Sequence, residues 1–458
     1  PRRRPPPRPG LDDDGRLDRL EDDPRYFEGA ELGKAQKAAL GLRGMSGRNT
    51  ASFYPESTLV RPAMRVFYGP PGLKRYEGER VREDDLLIVP DFSCPVDDLQ
   101  ELGALAADMR RLMDGTASAL QELPACRRAV ERAAEYLSIG DEGRAVRLAW
   151  HRPGVREPFV REFGAAGSTP SRSQNCVARL SFGAEREIAF RRCGSDESVF
   201  FPQANGSLSV MGREVWLRWL SGMNTRQGFD ADAAEGHIAV TMMGDSAAVH
   251  RDRALQRCPS DARLGSDAHQ GCIDAPSAGR ARPQMRVIAV PRRERYGRAV
   301  RHDDVVIVPE FFCAEDDWDT YYKLIREMRD SQANGDRRAE WVSWHEGAHL
   351  LSQNPAGSAT YRKVLAKMCD YFSVAGGTQG TRFNWYRDGS DWKPFHHDSA
   401  AFNAQRAANQ NCTIGISFGA SRELAFRHAK TGELIYFPQK NGMLFYFGRD
   451  ANIVWQHG

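Results

Sequence analysis

The residues best suited to chemistry lie in the run TRFNWYRDGSDWKPFHHDSAAFN, which spans residues 381–403. At its centre are His396, His397 and Asp398. On an extended strand the side chains alternate between faces, so His396 and Asp398 point the same way and His397 points the opposite way. His457 ends a second strand-like apolar run, IVWQHG. Two histidines and one carboxylate from two strands form the facial triad that holds Fe(II) and leaves positions open for substrate and O₂.

A rival metal motif occurs upstream, where His345, Glu346 and His349 match H-E-x-x-H. On a helix this spacing puts two zinc ligands one turn apart, with the glutamate as the base of a metalloprotease. Gly347 stands between the histidines, Pro355 follows, and no long amphipathic helix carries the segment, so the helical context is poor. A structural histidine pair, or a loop lining the entrance of an oxygenase site, is the favoured interpretation.

Three strings follow one another around the first motif. They are N-x-Y-x-D-G…H-x-D beginning at Asn384, SFGASRELAFRH at 417–428, and NGMLFYFGRDANIVWQHG at 441–458. In content and order they resemble the AlkB-like family of 2-oxoglutarate- and Fe(II)-dependent dioxygenases, from about Met285 to the end of the chain. The resemblance implies helices followed by a jelly roll, and Fe(II), 2-oxoglutarate and O₂ as cofactors.

The resemblance also implies a role for individual residues. His396, Asp398 and His457 would be the metal ligands, with no catalytic residue beyond them. Asn384 and Tyr386 match positions that contact the cosubstrate in the family, although core packing is a close alternative for Tyr386.

Two further residues are candidates for supporting the ligands from outside. Because of strand alternation, His397 is interpreted as a residue that supports the ligands from behind or lies at the surface. Arg422 matches a family arginine, but Arg186 occupies the same place in an upstream copy that lacks the metal ligands. A structural ion pair or a hydrogen-bonding role is therefore favoured for Arg422.

One feature departs from the family. These oxygenases anchor the distal carboxylate of 2-oxoglutarate with an arginine on a strand beyond the second histidine, a bidentate role that suits guanidinium. Here the sequence stops at Gly458, whereas GHIAVTMMG at 236–244 in the upstream copy looks like that strand, with His237 near the arginine's place. The expectation is a C-terminally incomplete domain, which leaves the activity of this chain open.

Long-period self-similarity organises the whole chain. REDDLLIVPDFSC at 82–94 returns as RHDDVVIVPEFFC at 301–313, and SQNCVARLSFGAEREIAFRR at 173–192 returns as NQNCTIGISFGASRELAFRH at 409–428. We therefore predict two copies of one domain, at 63–245 and 284–458, joined by a linker at 246–283. Residues 1–62, basic and proline-rich and then acidic, are predicted to be disordered.

Each copy has the same local pattern. A buried strand leads to an acidic segment that can cap a helix, and a second helical segment follows. The remainder consists of short β-branched or aromatic runs broken by Gly, Pro and Asn, which is typical of an all-β sandwich or barrel. The predicted fold class is α+β, mainly β, with tandem double-stranded β-helix (jelly-roll) domains, each preceded by helices.

Comparison of the two copies distinguishes residues that serve the fold from residues that could bind a metal. The first copy has Val160 in place of His396, Glu162 in place of Asp398 and Ser221 in place of His457. It is therefore predicted to be a degenerate domain that lacks metal ligands and serves packing or recruitment. It keeps residues interpreted as structural, namely Arg186, Phe190, Asn205, Gly206 and Gly212.

The composition limits the partners, the cysteine chemistry and the cellular location to be expected. The chain has 458 residues, with 64 Lys+Arg against 61 Asp+Glu and a net charge of +3, which neither demands nor excludes a polyanionic partner. Nine cysteines, an odd number without a C-x-x-C pair, argue against a disulfide framework and a zinc ribbon. No apolar run reaches membrane-spanning length. An intracellular location, cytoplasm or nucleus, is expected, with organelle targeting left open because the sequence begins at Pro1.

The function predicted from the resemblance is oxidative demethylation of modified nucleic-acid bases, with alkylated DNA or RNA as partner. Such enzymes take the base out of its stack into a pocket. Basic segments at 2–8 and 291–298 are compatible with phosphate contacts and equally with ordinary surface. The alternatives are a non-catalytic two-domain scaffold, an oxygenase of the same fold acting on protein or small molecules, and the zinc protease. The oligomeric state stays open.

Overall fold

The computed structural model describes residues 63–151, 174–192, 198–224, 236–250, 284–333, 339–344, 347–352, 358–375, 381, 383–386, 395–398 and 410–458. At residues 328–333, 339–344, 347–352 and 385 the description covers the backbone alone. The predictions for residues 1–62, for most of the linker, and for Val160 and Glu162 lie outside these ranges.

The first repeat contains eleven strands and three α-helices among the residues described. In chain order they are β1 (Met64–Tyr68), β2 (Val81–Arg82), β3 (Asp85–Val89), α1 (Gln100–Met113), a 3₁₀ turn (Leu120–Glu122), α2 (Pro124–Leu137), β4 (Ala145–His151), β5 (Cys176–Gly183), β6 (Arg186–Arg192), β7 (Ser198–Gln203), β8 (Ser207–Gly212), α3 (Arg213–Arg218), β9 (Trp219–Met223), β10 (His237–Gly244) and β11 (Val249–His250).

The second repeat follows the same order over most of its length. Its elements are β12 (Met285–Ala289), β13 (Asp304–Val308), α4 (Asp319–Ala333), β14 (Ala339–Trp344), β15 (Gly347–Ser352), α5 (Ala359–Phe372), β16 (Phe383–Trp385), β17 (Cys412–Ile416), β18 (Arg422–His428), β19 (Leu434–Gln439), β20 (Leu444–Gly448), α6 (Arg449–Val454) and β21 (Trp455–His457).

The predicted helix starts are confirmed in both repeats. The Asp98 carboxylate accepts a hydrogen bond from the N–H of Gln100 (3.0 Å), and Asp317 accepts one from Asp319 (3.1 Å). Each carboxylate satisfies an N–H that the first helical turn leaves without an intrahelical partner. The acidic segments after the buried strands therefore start α1 and α4.

A shared asparagine has the structural role expected of a residue common to both repeats. Asn205 donates to the carbonyl of Asp98 (2.7 Å) and accepts from the N–H of Gly183 (2.8 Å). Asn441 makes the equivalent two bonds in the second repeat, at 2.7 and 2.9 Å. In each repeat this side chain fastens the loop before the first helix to the sheet.

The strands of the first repeat wind as a jelly roll. One group has the order β1-β3-β8-β5-β10-β4, and the other has the order β7-β6-β9. Along the chain the strands therefore pass from the first group (β5) to the second (β6, β7), back (β8), across (β9) and back again (β10). This winding confirms the predicted class, mainly β with jelly-roll domains preceded by helices.

The two repeats share their sheets. A nine-stranded sheet runs β21-β18-β19-β1-β3-β8-β5-β10-β4, and a seven-stranded sheet runs β17-β20-β13-β12-β7-β6-β9. Each sheet therefore combines the larger group of one repeat with the smaller group of the other. Three further strands, β14, β15 and β16, form a separate sheet.

Two parallel strand pairs make the junctions. Met64 of β1 lies opposite Ile435 of β19, and Met285 of β12 lies opposite Val199 of β7. These residues occupy equivalent places in the two repeats, so the pairing is reciprocal. The repeats are related as the two halves of a pseudo-twofold dimer within one chain.

A buried arginine with two carboxylate partners occurs at both junctions. Arg65 donates two hydrogen bonds of 2.7 Å to Asp85, and its guanidinium lies 3.8 Å from Glu423 of the other repeat. The equivalent trio is Arg286, Asp304 and Glu187. There the two hydrogen bonds measure 2.6 and 2.8 Å, and the contact between repeats is 3.4 Å.

The hydrophobic core is continuous between the repeats. One cluster of buried residues lies between the two sheets and draws members from both repeats, including Phe190, Phe201, Phe426 and Phe447. Two other clusters join the helices to the outer sheet faces: α1 and α2 on the nine-stranded sheet, and α5 on the seven-stranded sheet. The molecule is thus one β-sandwich with helices on both outer faces.

In the ranges described, no helix is both long and apolar enough to cross a membrane. The six cysteines in those ranges are free thiols: Cys94, Cys126, Cys176, Cys313, Cys369 and Cys412.

The shared core makes the stability of one repeat depend on the other. Arg192 of the first repeat and Glu433 of the second form a buried ion pair with Nε and Oε1 3.0 Å apart, and their side chains are 1% and 4% exposed. We expect Glu433→Ala to lower the free energy of unfolding by about 3–5 kcal/mol, because it leaves a buried guanidinium without its carboxylate. Urea unfolding followed by circular dichroism measures the change.

The control is Glu315→Ala, which removes the partly exposed ion pair with Lys440 (3.0 Å). It is expected to cost less than about 1 kcal/mol. Equal small losses for both variants would contradict the view that buried charge fastens the repeats together.

Candidate metal centre

Backbone pairing places two of the predicted ligands side by side. His457 lies on β21. On one side β21 pairs with β18, where Phe426 is the residue opposite His457. On the other side His457 forms an isolated antiparallel bridge with His396, whose two N–H···O bonds measure 3.0 and 2.8 Å. Directly opposed residues of an antiparallel pair project to the same face. The two imidazoles therefore share one face of the sheet.

The structure brings all three predicted ligands together. The His396 and His457 ring centres are 4.3 Å apart. Oδ1 of Asp398 lies 4.0 Å from Nε2 of His396 and 3.8 Å from Nε2 of His457. One ligand atom from each residue can be chosen so that all three lie within 4.8 Å of one another. These residues form a group that could hold a metal ion.

The donor set and its spacing fit a first-row divalent metal. Two ligands of one ion with bonds of about 2.1 Å can be at most about 4.2 Å apart. Both carboxylate-to-imidazole distances are below that limit. Adjacent ligands of a facial triad are about 3 Å apart at such bond lengths, so the three side chains, whose ligand atoms lie within 4.8 Å of one another, would draw closer together around a bound ion.

The carboxylate of Asp398 is oriented by its neighbours. Thr413 on β17 donates from its hydroxyl to Oδ2 of Asp398 (2.6 Å), so the other oxygen, Oδ1, faces the histidines. Asn452 in α6 accepts from the N–H of Asp398 (2.8 Å) and donates to its carbonyl (3.3 Å). Such partners fix the direction of a metal ligand and tune its basicity.

His397 lies outside the three-residue group, as strand alternation predicts. It is buried, and its Nδ1 is 2.5 Å from the carbonyl of Asn452. Burial lowers the pKa of His397 to about 4, although the Asn452 carbonyl acts in the opposite direction. Of the two interpretations left open, the surface position is wrong, because the protein interior encloses this side chain beside Asn452.

Aromatic rings close one side of the group. The ring of His457 lies 4.8 Å from that of Phe447 and 6.2 Å from that of Phe426, centre to centre. Both phenylalanines belong to the core shared by the repeats. This wall keeps water from the back of the site.

The proposed cosubstrate residues lie near β16. Asn384 is exposed and faces His349 across the β15–β16 pair. Tyr386 is half-buried, and the guanidinium carbon of Arg422 lies 4.5 Å above its ring centre. Arg422 therefore meets Tyr386 through a cation–π contact, whereas its counterpart Arg186 donates to the carbonyl of Asn224 at 3.1 and 2.9 Å.

The rival zinc motif is not carried by a helix in the part of the chain that is described. Residues 339–344 and 347–352 form the antiparallel strands β14 and β15, with His349 opposite Val342. His345 and Glu346 fall between them, outside the described residues. Two ligands one helical turn apart are therefore not what the backbone around His349 provides.

Two residues of the site were missed from the sequence: Thr413 and Asn452. A comparison of the repeats could have identified both residues, because the equivalent residues of the first repeat are the apolar Val177 and Trp216. His457 changes in the same way, to Ser221, which is buried on β9 opposite Phe190. Both histidine ligands and the two hydrogen-bonding partners are thus replaced together in the first repeat, whereas Glu162 keeps a carboxylate at the place of Asp398.

Comparisons with known proteins add little to this geometry. A scan of protein-family models and a search of curated proteins found no match. Among solved structures, a crystal structure of a prolyl-4-hydroxylase from Pseudomonas putida is similar over 35% of this chain and 88% of its own, with 15% identity and a TM-score of 0.22. The fold assignment therefore rests on the strand order.

The Thr413 hydroxyl provides a specific test of the centre. We expect Thr413→Val, which installs the residue type of the first repeat, to weaken divalent-metal binding about 10- to 100-fold by releasing the Asp398 carboxylate. Titration with Co(II), followed by its visible absorption, measures the affinity without requiring turnover. Thr431→Val is the matched control, since that hydroxyl lies 3.0 Å from Nδ1 of His428 and does not contact Asp398. Unchanged Co(II) affinity in Thr413→Val would contradict the positioning role.

Proposed function

We propose that the protein is an Fe(II)- and 2-oxoglutarate-dependent dioxygenase whose metal centre lies in the second repeat. The observation that carries the proposal is the convergence of His396, Asp398 and His457 on one face of a jelly-roll sheet. A set of two imidazoles and one carboxylate is the ligand set of non-haem Fe(II) oxygenases, and it leaves positions for cosubstrate and O₂.

Fe(II) with 2-oxoglutarate and O₂ would supply the oxidising power for hydroxylation of a C–H bond, with release of succinate and CO₂. The protein residues bind and orient. His396, Asp398 and His457 would hold the ion, Thr413 directs one carboxylate oxygen toward it, and the ring of Phe447 excludes water behind His457.

Asn384 and Tyr386 are the proposed contacts for 2-oxoglutarate. Tyr386 has the stronger support, because the guanidinium of Arg422 lies over its ring and puts a cation beside the phenol. A cation next to a hydrogen-bond donor suits a dicarboxylate.

For the substrate we propose an N-methylated base of DNA or RNA. Hydroxylation of the methyl group would release formaldehyde and the free base nitrogen. Arg292, Arg293 and Arg295 are exposed in the basic segment at 291–298 and suit phosphate contacts. Tyr296 in that segment packs inward against Phe372 (5.2 Å between ring centres), so stacking on a base would need another aromatic residue.

We further propose that the first repeat is a non-catalytic partner within the chain. It supplies β1 to the sheet that carries β18, β19 and β21, and therefore supports the strand of His457. This role needs no metal and agrees with Ser221 at the position of His457.

The direct test is conversion of 2-oxoglutarate to succinate by the protein with Fe(II) and ascorbate, with and without an N-methylated oligonucleotide. We expect iron-dependent turnover that the oligonucleotide stimulates, with release of formaldehyde. His396→Ala should lower the rate at least about 100-fold, since even changes outside the ligand shell cost 10- to 100-fold.

His250→Ala is the control, because His250 lies at the start of the linker on β11, which pairs with β2 of the first repeat, outside the three-residue group. Turnover that prefers a methylated peptide or a small molecule over the oligonucleotide would keep the oxygenase and refute the substrate. Iron binding without succinate from any of these substrates would indicate the scaffold.

A further inference from the structure

The larger and smaller strand groups of the first repeat enclose an interior that we call the first barrel, and a group of polar side chains faces it. We name it the polar chamber and define it by Arg179 and Ser181 on β5, Ser209 on β8, and His237 and Thr241 on β10. Arg179 lies directly opposite both Ser209 and Thr241, and His237 lies opposite Gly183 two residues beyond Ser181. The alternate residues of these strands pack under the helices, so the chamber residues project into the barrel.

Four atoms of the chamber are buried polar groups. The hydroxyls of Ser181, Ser209 and Thr241, and Nε2 of His237, make no hydrogen bond within the described structure. These residues are 0%, 1%, 3% and 1% exposed, respectively. Each buried polar group left in that state costs about 1–3 kcal/mol. A cluster of four is therefore expected to be satisfied by something bound between the strands.

The electrostatics of the chamber favour a negative occupant. Arg179 is itself buried, at 5% exposure. The pKa of His237 is lowered to about 3, first by burial and then by His151, with Arg186 and Arg179 adding to the effect; the hydrogen bond to the Ala184 carbonyl acts in the opposite direction. The guanidinium groups of Arg179 and Arg186 thus bear on the same interior.

His237 has a different hydrogen-bonding role from the three hydroxyl groups. Its Nδ1 lies 2.9 Å from the carbonyl of Ala184, and since a carbonyl only accepts, Nδ1 carries the proton. A neutral imidazole then offers Nε2 as an acceptor. Nε2 therefore suits a water or a hydroxyl group at the side of the occupant, while Ser181, Ser209 and Thr241 donate.

The second repeat keeps a serine, Ser417, at the place of Ser181, but it shows that the fold does not require polar residues at two other chamber positions. The positions of Arg179 and Ser209 are occupied there by Gly415 and Phe445. The Phe445 ring fills the space over Gly415, where a Cβ would lie 2.0 Å from Cζ of the ring. Exchange of volume alone would account for a large residue facing a small one. It would not account for three buried hydroxyls and a guanidinium.

We propose that the interior of the first barrel binds a small oxyanion, a carboxylate or phosphate, through the hydroxyls of Ser181, Ser209 and Thr241 and the charge of Arg179. The site is separate from the three-residue metal group and does not depend on the proposed oxygenase activity. The repeat that lacks the predicted metal ligands is thereby a ligand-binding module.

Calorimetry and thermal unfolding of the full chain, in EDTA to keep metal from the second repeat, provide the test. The probes are inorganic phosphate and succinate, with succinamide as the uncharged analogue. We expect saturable binding of at least one anion, a rise in Tm with its concentration, and no effect of succinamide.

Variants locate the binding. Thr241→Val replaces a hydroxyl by a methyl group of the same shape and should weaken anion binding at least tenfold without lowering the Tm of the ligand-free protein. Ser181→Ala should act in the same direction, whereas Ser417→Ala, at the equivalent place in the second repeat, should leave binding unchanged. The double variant Arg179→Gly/Ser209→Phe installs the pair of the second repeat and should abolish binding.

Three results would overturn the proposal. They are no saturable binding of either anion at concentrations up to about 10 mM, equal binding of succinamide, or binding that survives Thr241→Val. A crystal structure grown in phosphate with only water between these strands would do the same. If the double variant fails to fold by circular dichroism, Thr241→Val and Ser181→Ala decide the matter.

Discussion

The parallel pairing between the repeats is the constraint on which the rest of the structure depends. The strand that carries His457, β21, bonds to β18, β18 bonds to β19, and β19 bonds to β1 of the first repeat. Without β1, the three strands at the metal centre would form a small sheet with an open edge, which is unfavourable as a row of unpaired backbone groups. The reciprocal pair of β12 and β7 gives the same support in the other direction. At each junction a buried arginine, paired with an aspartate of its own repeat, also contacts a glutamate of the other repeat, at 3.8 Å for Arg65–Glu423 and 3.4 Å for Arg286–Glu187, and these contacts favour the observed register.

The two repeats have the same framework of strands but different polar side chains inside it. Both keep the asparagine that fastens the loop before the first helix, and the buried arginine–aspartate pair at the start of the strand that leads into that loop. Inside, they differ. The second barrel presents two imidazoles and a carboxylate, steadied by Thr413 and Asn452, against a wall of phenylalanine rings. The first presents hydroxyls and a guanidinium instead. In each case the polar residues are few and the surrounding core is apolar, so a small number of side chains decides what the interior can bind.

Much of the local structure could be predicted from the sequence, and the long-range arrangement could not. Repeated strings, β-branched runs and acidic helix starts predicted the copies, strands and helices. Strand alternation predicted that His396 and Asp398 share a face and that His397 does not. The pairing of Met64 with Ile435 joins residues far apart in the chain, and such contacts leave no periodic signal. Thr413 and Asn452 were missed because they contact ligands through hydrogen bonds that depend on folding. The poor helical context of H-E-x-x-H was recognised, but the strand that carries His349 was not predicted.

The reciprocal exchange of strands also bears on how such a molecule assembles. Two separate subunits joined through sheet edges would dissociate on dilution and would have to be synthesised in equal amounts. A single polypeptide avoids both problems, since the linker holds the halves at a high effective concentration and fixes their ratio at one to one. The chain therefore behaves as a tethered heterodimer in which the two halves can specialise independently. A defect at a junction in either half would also destabilise the other half.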